Sequence, residues 1–169
     1  MRILKMAAAG ALAVAIMAAP GSLPAQAGDT VLKPAEIQKL VPTSVFYRGQ
    51  QAPAELRNSG GVKFADGFFV LSTLVDTSGY STGVQAKYQA YFITEVPIKV
   101  GGQSLAAGIY GVGFVGDTFV VTDVGAHDVL VVPTTNDAGL KLPRPLQVVA
   151  DPAGGYRLYA QRRYVSFSR

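Results

Sequence analysis

The chain of 169 residues contains no cysteine and no tryptophan, and its only histidine is His127. Without cysteine there is no disulfide, no thiol nucleophile and no lipid-modified terminal cysteine, so stability must come from packing and hydrogen bonds. A single imidazole offers little for acid-base or metal chemistry, and no Gly-x-Ser-x-Gly motif marks a serine nucleophile. We therefore predict no catalytic residue, no metal and no cofactor, and an enzyme that uses His127 ranks third among the functions considered.

The chain also has no large excess of charge of one sign. Two of the 15 basic residues, Arg2 and Lys5, lie in the first 27 residues, so the rest of the chain carries 13 basic against 11 acidic residues, a net charge of +2. A net charge of this size argues neither for nor against nucleic acid, which we do not expect as a partner.

The first 27 residues have the three-part layout of an export signal. Arg2 and Lys5 form a positive start, residues 6–19 are apolar and uncharged, and Ala25-Gln26-Ala27 places small residues where signal peptidase cleaves. The apolar run is shorter than the roughly 20 residues that cross a bilayer, and no later run is long enough. We predict an exported protein of the periplasm or the extracellular space, with no transmembrane span after residue 27; an uncleaved signal anchor is the alternative.

From residue 62 onward, short β-branched and aromatic runs alternate with Gly, Pro, Asp and Asn, which is typical of consecutive antiparallel strands. One short helix, 34–41, is predicted between two prolines. We predict an all-β fold, an antiparallel sandwich or a small barrel, with a signal peptide (1–27), an N-terminal segment with the helix (28–61) and one β-domain (62–169). The predicted strands are 62–64, 68–75, 86–96, 98–100, 108–115, 118–123, 127–134, 146–150, 156–160 and 163–168, and an earlier strand at 44–47 stays open.

Residues 111–116 read Gly-Val-Gly-Phe-Val-Gly, which matches the Gly-x-Gly-x-x-Gly fingerprint of dinucleotide-binding loops. That fingerprint holds a pyrophosphate only where a helix follows it, because the helix supplies the amide groups that bind the phosphates. Here residues 117–122 alternate and branch like a strand. We therefore predict a hairpin with Gly116-Asp117 as its two-residue loop, and no nucleotide.

The predicted hairpin sorts its side chains by face. Phe114 would pair with Phe119, and the two would share an apolar face. On the other face Gly111 and Gly113 would leave bare backbone. Alternate glycines on one face indicate strong bending or the close approach of another element.

A second hairpin is predicted around the turn Gly101-Gly102, because two glycines accept positive φ without steric cost. The turn is followed by Leu105-x-Ala107-Gly108-x-Tyr110, and this stretch resembles a hairpin of exported bacterial β-domains of unknown function. The resemblance implies a β-sheet domain and carries over no functional residue. The Gly-x-Trp signature of lipocalins is missing.

Two sets of residues are candidates for ligand contact. In the first, residues 68–75 are apolar on both faces, while Tyr88, Ala90 and Phe92 would give the next strand an aromatic inner face. A closed barrel with such walls could enclose a ligand. The leading prediction is a non-enzymatic module that binds an apolar or amphipathic small molecule or a cell-envelope component, with Tyr88 and Phe92 at the ligand.

The second set is the C-terminal run of arginines and tyrosines, represented by Arg157, Tyr159, Arg162 and Arg163. Such a mixture can bind anionic lipid headgroups, glycans or single-stranded nucleic acid through charge and stacking, and an anionic envelope component is the partner we predict. Strand alternation that simply exposes the arginines to water explains the same pattern. The alternative function is therefore a structural or protein-interaction domain with a filled core.

Cleavage of the signal is the first testable prediction. Signal peptidase should cut after Ala27, so that the exported protein begins at Gly28, and intact-mass measurement of the exported protein checks the site. Ala27→Asp should leave the precursor uncut, because the enzyme requires a small residue there. A full-length mass for the exported parent protein would support the uncleaved anchor.

Overall fold

A computed structural model describes residues 28–169, so the predicted signal peptide lies outside the described residues. These residues form two antiparallel sheets. In spatial order the first sheet consists of β1 (Thr30–Leu32), β3 (Gln50–Lys63), β4 (Phe69–Val75), β5 (Ala90–Thr94), β8 (Gly108–Val115), β9 (Thr118–Thr122) and β10 (Asp128–Pro133), with β2 (Ser44–Tyr47) paired to β3. The second consists of β12 (Arg144–Ala150), β13 (Tyr156–Gln161), β14 (Arg163–Ser168), β6 (Ile98–Val100) and β7 (Gln103–Leu105), with β11 (Thr135–Asn136) paired to β14.

The all-β prediction is confirmed, and the two separate sheets make the fold a sandwich. The main core lies between the sheets, because apolar side chains on alternate positions of both sheets point inward. Phe92 of the first sheet meets Phe167 of the second edge-on, with ring centroids 6.4 Å apart. Around this contact the buried core includes Val62, Val70, Val112, Phe119, Val121, Leu130, Ile98, Leu105, Leu146, Leu158 and Val165.

Two smaller apolar clusters lie on the outer face of the first sheet. In the first, Leu32, Ile37, Val41 and Leu71 pack where the short helix α1 (Pro34–Ile37) crosses the sheet. The second forms beneath helix α2 (Thr82–Lys87) and contains Val45, Tyr47, Ala52, Val75, Tyr80 and Tyr88. Neither helix approaches the length of a membrane span, and no helix formed by residues 28–169 could cross a bilayer.

The hairpin prediction for residues 111–116 is confirmed pair by pair. β8 and β9 pair antiparallel with Val115 opposite Thr118, and the loop glycine Gly116 has a φ of 56°. Phe114 stands opposite Phe119, and their rings are 5.0 Å apart. Strand β9 therefore follows the glycines where a phosphate-binding helix would have to begin.

The bare face of this hairpin is covered by another element, as alternate glycines indicated. A Cβ at Gly113 would lie 2.5 Å from the carbonyl oxygen of Ala86, and one at Gly111 would lie 2.4 Å from the Tyr88 ring. The glycines thus let the backbone of α2 lie directly on the sheet.

The prediction of a strand over 86–96 is wrong in its first residues. Ala86 and Lys87 end α2, and β5 begins only at Ala90. Apolar and polar residues alternate here as in a strand, but contact with the hairpin glycines favours a helical turn, and tertiary contact overrides such local preference.

Two further predictions need correction, and the strand left open at 44–47 is found. The helix predicted over 34–41 ends at Ile37, and turns follow in which the Val41 amide still donates to the Ile37 carbonyl at 3.1 Å. The strand predicted at 62–64 is the end of β3, which starts at Gln50 and so runs from residues 50–61 into the later part of the sheet. The strand at 44–47 is confirmed as β2, and the structure adds β11 between the predicted strands 127–134 and 146–150.

Strand β10 ends the first sheet and has an irregular ladder. Its pairing with β9 shifts between Asp128 and Leu130, which is a β-bulge. Pro133 is its last residue, and the amide of the following Thr134 donates inward to the Asp117 carbonyl at 2.8 Å. Because successive amides point to opposite sides of a strand, the amide hydrogen that Pro133 lacks would have faced the open edge.

The close contact at Gly113 gives the second prediction. Gly113→Val should lower the free energy of unfolding by about 1–3 kcal/mol, because the new side chain overlaps the backbone of α2. Gly83→Val is the matched control, since a Cβ there meets nothing within 4 Å. Thermal unfolding with and without a dinucleotide measures both effects. An unchanged Tm in Gly113→Val, or a Tm of the parent that rises with dinucleotide, would contradict the hairpin and its covered face.

Candidate functional site

Three tyrosines pack together on the outer face of the first sheet, next to α2. The ring of Tyr47, at the end of β2, stacks on that of Tyr88 with centroids 3.9 Å apart and 15° between the planes. Tyr80 meets both rings edge-on, at 6.2 Å from Tyr47 and 6.1 Å from Tyr88. All three are buried, and we call them the tyrosine cluster.

Hydrogen bonds fix two of the three hydroxyls. The Tyr80 hydroxyl donates in a shared hydrogen bond to the carbonyl oxygens of Tyr47, at 3.0 Å, and Gln50, at 2.9 Å, which ties the segment before α2 to the β2–β3 turn. The Tyr47 hydroxyl is 3.0 Å from Thr122 Oγ1, which itself donates to the Gly111 carbonyl at 3.1 Å. Thr122 has a single hydroxyl proton, so Tyr47 is the donor of their bond.

The third hydroxyl differs. Tyr88 Oη is fully buried and has no hydrogen-bond partner among the described residues. Burial raises the pKa of this phenol well above its ordinary value of 10.0, with smaller contributions from Tyr80, Tyr91 and Tyr47. The hydroxyl is therefore neutral at every physiological pH, and its ring serves as packing beneath Tyr47.

A groove opens above the tyrosine cluster, between α2 and the β2–β3 turn. It consists of two adjoining depressions of about 240 and 280 Å³, which share Arg48, Ser81 and Val84. We call it the tyrosine groove. Its other lining residues are Tyr47, Gly83, Lys87 and Ala126 in the smaller depression, and Gln50 and Tyr80 in the larger one.

Arg48 enters the groove from a tight hairpin turn. Tyr47 pairs with Gln50, so that Arg48 and Gly49 form the two-residue loop, with φ of 46° and 79°. Two positive φ values define a type I′ turn, in which Asn, Asp and Gly are the favoured residues. An arginine in this position is a backbone outlier that costs stability.

Exposed valines continue the surface on the side of Ala126. This residue lines the groove and belongs to the turn after β9, which also contains Val124, exposed to 62%. Strand β10 follows with Val129 and Val131, both nearly half exposed. We call Val124, Val129 and Val131 the valine patch. Groove and patch together offer cations, aromatic rings and apolar surface in one region.

The two residues predicted to line an enclosed cavity lie on opposite faces of the first sheet. Phe92 is 2% exposed and packs in the core between the sheets, whereas Tyr88 belongs to the tyrosine cluster. The prediction of a shared inner face is wrong because Tyr88 directly follows α2 and precedes β5. Neither residue lines the groove, and Tyr88 lies beneath it, stacked on the lining residue Tyr47.

The C-terminal candidates Arg157 and Tyr159 meet on the outer face of the second sheet. Arg157 forms a bidentate ion pair with Asp151, with both nitrogen-oxygen distances 2.9 Å, and lies over the ring of Tyr164 at 4.5 Å. The Tyr159 hydroxyl donates to Asp137 at 2.9 Å. Arg157 holds the pKa of the Asp151 carboxyl below its ordinary value. Arg157 and Tyr159 thus have their ionic and hydrogen-bond partners within the protein.

Arg162 and Arg163 also have partners within the protein. The Arg162 guanidinium donates to the carbonyl oxygens of Ala138 and Leu140, at 3.0 and 2.7 Å, and so fixes the loop before β12. Arg163 lies 3.4 Å from Asp117, which is almost fully exposed. The structure therefore brings Arg157 and Tyr159 together, and places Arg162 and Arg163 in separate contacts.

His127 is an exposed residue of the turn between β9 and β10. Its Nδ1 lies 3.0 Å from Asp123, and its backbone amide donates to the same carboxylate at 2.9 Å. These bonds hold the pKa of Asp123 below its ordinary value. Within residues 28–169, no three His, Asp or Glu side chains converge as metal ligands would.

Comparison of the chain with protein-family models, with curated proteins and with solved structures gave no match.

Most residues of the groove leave no signal in the sequence. Tyr47 lies 33 residues before Tyr80, and contacts over such a separation leave no local pattern. The hairpin loop did leave a signal, because Arg48-Gly49 follows the β-branched and aromatic run 44–47. Arg48 is therefore recognisable from the sequence as unusual, because such a two-residue loop favours Asn, Asp and Gly.

The hydroxyls of the tyrosine cluster give the third prediction. Tyr88→Phe should keep or raise the free energy of unfolding, since it removes a buried hydroxyl without a partner, whereas Tyr47→Phe should lower it by about 0.5–1.5 kcal/mol through the lost bond to Thr122. Chemical denaturation of both variants at neutral pH measures the difference. Equal losses in the two variants would contradict the assigned bonding.

The raised pKa of Tyr88 adds a pH dependence to the third prediction. Because the folded pKa of Tyr88 is above its ordinary value of 10.0, the unfolded chain loses this proton first, and stability falls as pH rises through and above 10. Tyr88→Phe should therefore show a shallower alkaline loss than the parent protein. Identical slopes in denaturation series from pH 8 upward, roughly, would contradict the raised pKa.

Proposed function

We propose that the protein is an exported, non-enzymatic module that binds an amphipathic small molecule or envelope component in the tyrosine groove. The observation that carries the proposal is the groove itself, where Arg48 and Lys87 adjoin the tyrosine cluster and the exposed valine patch. Ligand sites are concave, lined by aromatic and apolar side chains, and contain a few polar groups that orient the ligand.

The filled core favours a ligand site on the outer face of the first sheet. Phe92, Phe119 and Leu158 are each at most 2% exposed, and their side chains occupy the space between the sheets. A ligand held on the outer face of the first sheet displaces none of this packing. The N-terminal pattern of residues 1–27 supports export, and an envelope component is a ligand that an exported protein meets.

The groove offers a way to block binding without disturbing the fold. Gly83 lines it, is exposed, and a Cβ there meets nothing within 4 Å. Gly83→Phe should therefore fill the groove, and it also replaces a poor helix residue within α2. Gly139→Phe is the matched control, since Gly139 is exposed in the loop beside the second sheet and has only an ordinary contact, 3.5 Å, to Asp137.

Native mass spectrometry of the exported protein gives the fourth prediction. The parent protein and Gly139→Phe should carry a co-purifying small molecule, and Gly83→Phe should lose it while its Tm stays at or above that of the parent. An adduct that persists in Gly83→Phe would place the ligand elsewhere. A parent protein without any adduct favours the alternative function, a structural or interaction domain whose filled core is its main feature.

A further inference from the structure

We infer that the tyrosine groove selects an anionic headgroup of an amphiphile, and that the guanidinium of Arg48 recognises it. The inference rests on the proposed function and adds the charge of the ligand and the residue that reads it.

The charge of the groove comes from Arg48. None of the residues that line either depression is an Asp or a Glu, and two are cations. The ammonium of Lys87 is 2.8 and 2.7 Å from the two carboxylate oxygens of Asp128, so its charge is already balanced. Arg48 takes part in none of the ion pairs between residues 28–169. A positive charge in the groove thus lacks a protein counter-ion.

The free hydrogen-bond donors of the groove point to the same ligand chemistry. The hydroxyls of Tyr47 and Tyr80 are used within the protein, so these residues present rings rather than polar groups. Ser81 precedes α2, but its side chain makes no capping bond to the helix. The Ser81 hydroxyl and the five N–H groups of Arg48 therefore stay available, and a guanidinium with a hydroxyl beside it is suited to phosphate or carboxylate oxygens.

The backbone at Arg48 is an independent observation. Its φ of 46° lies in the left-handed region, where Asn or Gly would be less strained. Strained residues of this kind cluster at ligand sites, where the side chain matters more than the local cost. Arg48 places its long cation at the one turn that borders both depressions. The valine patch beyond Ala126 provides the apolar surface for the rest of an amphiphile, which favours a lipid-like anion over a free one.

Arg48→Asn tests the inference without loss of the fold, because Asn tolerates a positive φ better than Arg. Thermal unfolding should show this variant to be at least as stable as the parent protein. Lys141→Asn is the matched control, since Lys141 is an exposed residue of the loop beside the second sheet and the substitution removes the same charge.

Calorimetric titration of the purified protein with soluble short-chain lipids measures the selectivity, and gives the fifth prediction. Dihexanoylphosphatidylglycerol should bind at least about tenfold more tightly than dihexanoylphosphatidylcholine, and added salt should weaken only the former. Arg48→Asn should remove this difference, because its affinity for the anionic lipid should fall about tenfold. Lys141→Asn should bind both lipids with the affinities of the parent protein. Inorganic phosphate should bind far more weakly than the anionic lipid.

The outcomes separate this inference from the proposed function. Equal affinities for the two lipids, or an Arg48→Asn variant that still prefers the anionic lipid, would overturn the selection of an anionic headgroup. The proposed function survives that result if Gly83→Phe abolishes binding of both lipids. Phosphate that binds as tightly as the anionic lipid overturns the amphiphile, because the valine patch then contributes nothing. Lipid binding that Gly83→Phe leaves intact overturns the proposed function as well.

Discussion

The contact between bare backbone at Gly113 and the end of α2 determines the outer face of the first sheet. A side chain at Gly113 would overlap the Ala86 carbonyl oxygen, so only glycine lets the helix lie this close. With α2 seated there, Tyr88 falls over Gly111 and stacks on Tyr47, and Tyr80 ties the same region to the β2–β3 turn. The groove is the gap that remains between the helix and that turn.

The two faces of the first sheet thus have different roles. Its inner face, with Phe92 and Val112, packs against the second sheet and forms a filled core. Its outer face uses tyrosines, whose rings pack while the hydroxyls of Tyr47 and Tyr80 bond to nearby polar groups. Because stability is provided by the inner face, the outer face can keep an unbalanced cation and a strained turn at Arg48.

Local rules predicted the parts of the fold that depend on neighbouring residues. The β8–β9 hairpin was predictable in full, because a two-residue loop fixes its register and alternation then sorts Phe114 and Phe119 to one face. The alternate glycines Gly111 and Gly113 also predicted the close approach of another element. The identity of the approaching element was not readable, since Thr82, Gly83 and Val84 are weak helix formers and α2 depends on its contact with the sheet.

Long-range contacts account for the other differences. Strand β3 was missed before residue 62 because Pro53 and Gly60-Gly61 interrupt the pattern, and its pairing with β4 also shifts between Glu55 and Ser59. The tyrosine cluster joins Tyr47 of β2 to Tyr80 and Tyr88, which lie on either side of α2, so no short window of sequence contains it. The arginines and tyrosines near the C terminus form a pattern that the sequence does contain, but it does not show their partners: Arg157 pairs with Asp151 in the β12–β13 turn, and Tyr159 bonds to Asp137 after β11.

Strand β10 bears on how such a chain avoids self-association. An end strand offers its free amide and carbonyl groups as a template on which a second chain can extend the sheet, and the exposed valines of β10 would favour that growth. The bulge after Asp128 breaks the regular spacing of those groups, and Pro133 lacks the outward donor that an incoming strand would need. The same surface can therefore present apolar side chains to a small ligand while remaining a poor seed for fibrils.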